Sequence, residues 1–251
     1  ATGSRGYAGT IYLTAAKRNN LTLGGAGNLT SLRLGTDDTA AAWTFGTITV
    51  ASGGTLEIDG NPNMNDVAGV KHGGSATLNV TTLDIQSGGL FKADGLGFWA
   101  ALGPGAGGYG NYGFGGSYGG RGGAGSGSGS TYGSLTNPVH LGSGGVGSAG
   151  GGAILISCTG TVTVNGTLSA DGAGASYSTG SGGTVNITAA TLAGSGVIRA
   201  NGGASGSGGS GGGGRVALSA TTDTFSGTLQ ADGGATGSRG YAGTIYLTAA
   251  K

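Results

Sequence analysis

The sequence predicts an all-β fold, a parallel β-helix (β-solenoid) in which successive coils stack on one another. Three features favour this class. Short runs alternate apolar and polar residues, one template recurs roughly every thirty residues, and most copies end on Asp-Gly or Asn-Gly. Alternation with a period of two is the pattern of a strand with one face turned inward. Recurrence at a constant phase places equivalent strands above one another, as in solenoid proteins.

The template consists of two small residues, two alternating runs and a closing Ala-Asp-Gly or Ala-Asn-Gly. Complete copies occupy 73–95, 151–172, 182–202 and 213–233, a partial copy ends at Gly60, and a further start lies at 242–251. The alternating apolar pairs include Ile154/Ile156, Val162/Val164, Val185/Ile187, Val216/Leu218 and Ile245/Leu247. One such unit cannot bury its own apolar face, whereas stacked units bury each other's. A sandwich or meander fits less well, because it would use hairpin turns of two to five residues.

The closing Asp-Gly and Asn-Gly pairs predict tight corners that need positive φ. The acidic residues of these corners are Asp59, Asp94, Asp171 and Asp232, and Asn201 replaces Asp once. Two interpretations stay open. The carboxylates could form a column whose like charges raise pKa values or attract a cation. Alternatively, Asp and Asn are there for the shape of the corner, as residues that tolerate left-handed φ and form Asx-turns, and Asn201 favours this second interpretation.

Residues 1–17 and 235–251 are identical, which predicts a tandem repeat with a period of 234 residues. We therefore expect 1–251 to form a single solenoid module, with Lys251 followed by a second RNNLTLGG. At ~4.8 Å per strand, seven to nine coils would give an axial repeat of ~35–45 Å. The residues expected to form the end-to-end seam are Ile11, Tyr12, Leu13, Ile245, Tyr246 and Leu247.

Two glycine-rich insertions, 102–152 and 202–214, interrupt the template. One interpretation is long loops that leave one corner of the coil, since the entropy of loop closure grows slowly with length. The other is extended, polyproline-II-like segments packed on each other or on a neighbouring chain. In that case five aromatic residues would anchor the coil surface or an interface: Tyr109, Tyr112, Phe114, Tyr118 and Tyr132.

The composition argues against several functions. The net charge is +1, and Arg121 is the only basic residue among the tyrosines of the first insertion, so we expect no nucleic-acid partner. No apolar stretch approaches the ~20 residues of a membrane span, so we expect no membrane insertion by this segment. Cys158 is the only cysteine and follows an apolar run, which is typical of a core residue.

No arrangement of residues indicates catalysis, a metal ion or a cofactor. The matches to G-x-S-x-G at 115–119 and 208–212 are expected by chance when 65 of 251 residues are Gly. Neither match lies at a strand-to-helix turn. The only histidines, His72 and His140, lie in separate loop contexts and form no zinc motif. We therefore expect a protein that is not an enzyme and has no cofactor.

The segments GSTYGSLTNPVHLGSGG (129–145), GSGVIRANGG (194–203), 211–234 and AGTIYLTA (242–249) resemble the glycine-rich tandem repeats of very large bacterial cell-surface proteins. The resemblance covers most of 85–251 well and 18–84 loosely. It implies a right-handed, pectin-lyase-like β-helix in an extracellular protein, at the cell surface or in a filament. The expected function is structural, with adjacent copies of the chain as partners. The alternatives are a surface adhesin that binds glycans through loop tyrosines and, third, a polysaccharide-degrading enzyme.

Overall fold

The structure is a computed structural model that describes residues 13–36, 42–64, 72–110, 113–123 and 127–248. Over these ranges the chain forms fifteen strands and one helix of five residues, α1 (Ala15–Asn19). The first strands are β1 (Asn20–Leu23), β2 (Ser31–Gly35), β3 (Trp43–Thr44), β4 (Thr47–Val50), β5 (Thr55–Asp59), β6 (Thr77–Val80), β7 (Thr82–Ile85) and β8 (Leu90–Lys92). The remaining strands are β9 (Ala153–Val164), β10 (Thr167–Ser169), β11 (Thr184–Ala193), β12 (Val197–Arg199), β13 (Arg215–Asp223), β14 (Thr228–Gln230) and β15 (Thr244–Leu247).

The strands form two parallel sheets. Sheet A has nine strands along the path β1-β4-β7-β9-β11-β13-β15, with β6 also paired to β9 and β3 paired to β6. Sheet B has six strands in the order β14-β12-β10-β8-β5-β2. The long strand β9 pairs with β6 near its start and with β7 near its end, so a coil crosses sheet A with two strand segments and sheet B with one. The fold is a right-handed parallel β-solenoid, which confirms the predicted fold class.

The inward residues of equivalent strands lie directly above one another. In sheet B the register aligns one apolar column, Leu32, Leu56, Phe91, Leu168, Ile198 and Leu229. In sheet A, Ile154, Val185 and Val216 are fully buried, whereas the next residue of that column, Ile245, is 42% exposed. The core is therefore continuous along the solenoid and opens at β15, where the described residues place no further coil over it.

Sheet B has six strands, and β15 begins the next coil. One period of 234 residues thus contains six levels of sheet B, and with the coil that β15 begins the solenoid has about seven turns, at the lower end of the expected seven to nine coils. Between β8 and β9 the described residues, 93–110, 113–123 and 127–152, add no strand to either sheet. At ~4.8 Å per level, six levels span ~29 Å.

Every glycine-rich segment after β8 leaves the solenoid at the same corner. The N–H of Gly152 donates to Ala93 O at 2.7 Å and the N–H of Gly183 donates to Ala170 O at 2.7 Å. The N–H of Gly214 donates to Ala200 O and that of Gly243 to Ala231 O, at 2.7 and 2.6 Å. The Ala of Ala-Asp-Gly and the second Gly of the next template therefore close the corner, whatever the length of chain between them.

The predicted left-handed corners are largely wrong. Among the closing glycines only Gly95 has a positive φ, +64°, and the sole described non-glycine residue with positive φ is Ala101. Close approach of neighbouring chain segments explains these glycines better. A Cβ on Gly172 would lie 2.1 Å from Gly180 O, and one on Gly202 would lie 2.1 Å from Gly211 O.

Candidate functional site

A cluster of buried and half-buried aromatic and basic side chains joins the first glycine insertion to the solenoid. We call it the tyrosine cluster: His72, Tyr118, Tyr132, His140 and Arg215. The ring centroids of Tyr118 and Tyr132 are 4.8 Å apart, those of His72 and His140 4.9 Å, and those of His72 and Tyr132 5.6 Å. Two of the five predicted anchors, Tyr118 and Tyr132, are thus brought together.

Arg215, the first residue of β13, lies at the centre of these contacts and is only 7% exposed. Its Nε and Nη2 donate to Tyr132 O at 3.0 and 2.7 Å, and its Nη1 donates to Thr244 Oγ1 at 3.1 Å. Its guanidinium carbon lies 5.3 Å from the centroid of the Tyr118 ring, within the range of a cation–π contact. Arg215 therefore links the insertion, β13 and β15.

Both phenols of the cluster are hydrogen-bonded and neutral. Thr184 Oγ1 donates to His140 O at 2.7 Å, so Tyr118 Oη is the donor in its 2.8 Å hydrogen bond to Thr184 Oγ1. Burial raises the pKa of Tyr118 to about 12 and that of Tyr132 well above the ordinary value. The two tyrosines therefore stay protonated at neutral pH and hold the insertion in place through their hydrogen bonds.

The other predicted anchors have different environments. The side chain of Phe114 is half-buried among glycines, and a Cβ on Gly127 would lie 2.1 Å from its ring. Tyr109 is 81% exposed, and Tyr112 lies outside the described residues. No pattern in the sequence indicates His72, His140 or Arg215 as partners of the tyrosines, because the contacts join positions that are distant in sequence and lie in no common motif.

The glycine-rich segments pack on each other through their backbones. We call this region the glycine layer: 113–123, 142–152, 178–183 and 209–214. The N–H of Gly182 donates to Gly212 O, that of Gly212 to Gly116 O, and that of Gly116 to Thr179 O, each at 2.9 Å. The insertions therefore leave the solenoid at a common corner, as the first interpretation expects. They are also hydrogen-bonded to each other, as the second interpretation expects.

The corner carboxylates form a column of hydrogen bonds along the solenoid. Asp94 Oδ1 accepts from the N–H of Asp171 at 2.8 Å, and Asp171 Oδ1 accepts from the N–H of Asn201 at 2.7 Å. Asn201 Oδ1 continues the series by accepting from the N–H of Asp232 at 2.8 Å. The side-chain oxygen at each of these corners thus accepts a backbone N–H of the next coil, which both Asp and Asn can do. This hydrogen bond, and not the predicted Asx-turn, explains why Asp and Asn occupy the corners. Asp59 instead lies 3.6 Å from Nη1 of Arg33.

Within this column Asp171 has an altered pKa of about 6, above its ordinary value. Burial is the main cause and the charge of Asp94 adds to it, while the Asn201 N–H and Arg199, whose Nε lies 2.7 Å from Asp171 Oδ2, act in the opposite direction. Because the folded-state pKa is raised, the stability that protonated Asp171 contributes is present below its unfolded pKa and is lost as the pH rises through about 6.

We expect Asp171→Asn to remove this loss. Relative to the variant, the wild-type protein should be most stable near about pH 4 and should lose stability by about pH 7. The free energy of unfolding in urea, measured across this range, tests the prediction. Asp232→Asn, the same change at the exposed end of the column, controls for the loss of one carboxylate. A wild-type-to-variant difference that does not change with pH would contradict the assignment.

The predicted seam residues lie at the open end of the core or outside the described ranges. Ile245, Tyr246 and Leu247 form β15, which pairs with β13. Leu247 and Leu13 are partly buried against the core, and Ile11 and Tyr12 lie outside the described residues. The C-terminal half of the predicted seam therefore lies in β15, which pairs with β13 on one side and, within the described chain, with no strand on the other.

A cleft of about 470 Å³ lies beside the solenoid, lined by Pro62, Asn63, Phe98, Trp99, Leu102, Gly103 and Pro104. Trp99 is 40% exposed and Leu102 is 55% exposed. No motif in the sequence indicates these residues. Pro62 and Trp99 come from different excursions of the chain, so the cleft follows from the fold and not from a local motif.

Two further observations concern metals and membranes. Across the described ranges there is no group of three or more His, Cys, Asp or Glu residues that could hold a metal ion. In the same part of the chain, no helix is long and apolar enough to cross a bilayer.

Comparison with known proteins adds no relative. No protein-family model matches the chain, and neither the curated proteins nor the solved structures contain a significant match.

Proposed function

We propose that this chain is an extracellular structural protein, a repeat unit of a bacterial cell-surface or filament-forming β-solenoid that stacks end to end on copies of itself. The observation that carries the proposal is the open C-terminal end of the core. Ile245 is 42% exposed although Val216, Val185 and Ile154 of the same column are fully buried. An open apolar column beside unpaired strand edges favours association with a further coil.

The strand edges support the same proposal. Among the described residues, β14 pairs only with β12 and β15 pairs only with β13, so the far side of each strand has no ladder partner. The exact recurrence of residues 1–17 at 235–251 supplies a partner of matching sequence, another copy of the chain. The extracellular setting is proposed from the resemblance to surface repeats.

We expect the full chain to assemble end to end, and Leu229→Lys to abolish this assembly. Leu229 is the inward residue of β14, so a lysine there would place a charge in the apolar column that the next coil must cover. Analytical ultracentrifugation and electron microscopy would measure the loss of long particles. Gln230→Glu, a charged change of the adjacent outward residue, should leave assembly intact. A wild-type chain that stays monomeric at all concentrations would overturn the proposal.

A glycan-binding surface adhesin is the second candidate, and the cleft at Trp99 and Leu102 favours it. Concave, largely apolar sites with an exposed aromatic ring are typical of ligand pockets. Quenching of tryptophan fluorescence by surface glycans in a monodisperse monomer, lost in Trp99→Ala, would favour the adhesin over the structural unit. We propose no enzymatic activity, because the column of corner carboxylates is engaged in accepting backbone N–H groups.

A further inference from the structure

We infer that a second copy of this chain continues the solenoid in one defined register, with its β2 paired to β14 of the first copy so that its Ser31 lies opposite Thr228. The inference rests on the proposed function and specifies the contact that end-to-end stacking makes.

The register follows from the ladder of sheet B. All five pairings in this sheet are parallel, and each aligns the same three positions of successive strands without a shift. The first of these positions is occupied in turn by Ser31, Thr55, Leu90, Thr167, Val197 and Thr228. A seventh strand added beyond β14 by the same rule begins at the residue opposite Thr228.

The repeat determines which strand this is. β15 has the sequence TIYL, and the same four residues at 10–13 come one residue before α1, which β1 and β2 follow. β15 already continues sheet A, with Thr244 opposite Arg215 and Leu247 opposite Leu218. Chain that follows β15 with the order of the repeat therefore supplies α1 and β1, and next brings β2 to sheet B beside β14.

The side chains at this junction are complementary. Leu32 of the second copy would cover Leu229, which extends a column that is apolar at all six described levels. Arg33 is the outward neighbour and would lie beside Gln230. In its own copy Arg33 contacts Glu57 at 2.9 Å and Asp59 at 3.6 Å. Asp232 of the first copy would add a third carboxylate near this arginine. The junction buries an apolar pair and places a cation among acceptors.

The repeated segment fills the place beside β13 at the junction. β15 of the first copy lies there, and it has the same sequence as residues 10–13 of the second copy. In a covalent tandem with a period of 234 residues this strand occurs once at each junction, and the chain that forms α1, β1 and β2 follows it. The axial period is then the six levels of sheet B, ~29 Å.

Disulfide trapping in a chain of two tandem copies tests this register. The first copy carries Thr228→Cys and the second carries Ser31→Cys, both at exposed, outward positions. Residues paired across parallel strands lie ~4.8 Å apart, within the Cα separation of ~4.4–6.8 Å that a disulfide spans. The matched control combines Thr228→Cys with Arg33→Cys in the second copy, two residues out of register. Peptide mass mapping identifies the bond and separates it from any product of Cys158.

We expect the Thr228–Ser31 pair to oxidise in most molecules and the offset pair in few. Efficient trapping of the offset pair instead would overturn the register. Trapping of neither pair in tandem chains that unfold as one body with an elongated shape would also overturn it while leaving end-to-end stacking intact. Trapping of neither pair in chains that behave as two independent bodies by small-angle scattering would overturn both the register and the proposed function.

Discussion

Replacing Gly183 by alanine will destabilise the solenoid by about 3 kcal/mol, the upper end of the usual cost of overpacking a core. A Cβ at this position would lie 1.9 Å from Gly152 O and 2.5 Å from both the carbonyl carbon and the oxygen of Gly151. All three atoms belong to the backbone of the preceding coil, so no side-chain rotation can relieve the contact. The fold must open the corner between two coils to accept one methyl group.

The same contact recurs along the solenoid. A Cβ on Gly214 would lie 2.1 Å from Gly183 O, and one on Gly243 would lie 1.9 Å from Gly214 O. Gly35→Ala is the matched control, because a Cβ there would meet no atom within 4 Å. Urea unfolding monitored by circular dichroism measures both variants. A Gly183→Ala protein as stable as the Gly35→Ala protein would show that the coils are farther apart at this corner than the structure places them.

The fold could be predicted from sequence because its signal is local and repeated. Alternating pairs such as Ile154/Ile156 and Val185/Ile187 mark inward positions one coil apart, and the structure aligns them in one register. The amount of chain between successive strands could not be predicted as well, because the described glycine-rich residues between β8 and β9 add length without adding a strand. The alternation of apolar and polar residues indicates where strands lie, but it does not indicate how much chain lies between them outside the sheets.

The Asp-Gly corners show a second limit. Sequence correctly singled out Asp94, Asp171 and Asn201, but the reason given for them was the local backbone conformation. In the structure their side-chain oxygens accept N–H groups from the following coil. The Asp-Gly and Asn-Gly pairs are thus explained by hydrogen bonds between residues about thirty or more positions apart, such as Asp171 and Asn201. Propensity rules for turns cannot distinguish the two causes, since both favour Asp and Asn.

The tyrosine cluster was predicted only in part for a related reason. Aromatic residues in a glycine-rich segment are natural anchors, and Tyr118 and Tyr132 do lie together. Their partners come from β13 and from two other loops, and no spacing in the sequence connects Arg215 to either tyrosine. Tyr109 has the same local composition around it and is 81% exposed. Composition identified the candidate anchors, and only the packing of distant segments separates buried from exposed ones.

Replacing Tyr118 by alanine will cost about 3–5 kcal/mol, the range typical of removing a large aromatic side chain from a core. The residue is fully buried, and its loss would leave a cavity beneath Arg215 and beside Tyr132. Tyr118→Phe keeps the ring and removes only the hydrogen bond to Thr184, so it should cost about 1 kcal/mol. Tyr109→Ala, at an exposed position of the same insertion, should change stability by less than about 0.5 kcal/mol.

The region of the protein that Tyr118→Ala destabilises distinguishes two roles for the tyrosine cluster. Hydrogen exchange of the Gly116 and Gly120 amides reports the glycine layer, because these groups donate to Thr179 O and Gly213 O across the insertion boundary. Exchange of the Val185 and Val216 amides reports the coils themselves. If Tyr118 fixes the insertion to the solenoid, Tyr118→Ala will accelerate exchange in the glycine layer far more than in the coils. Equal acceleration in both regions would instead make the tyrosine part of one cooperative core, with the insertion as much a part of the folded unit as the strands it covers.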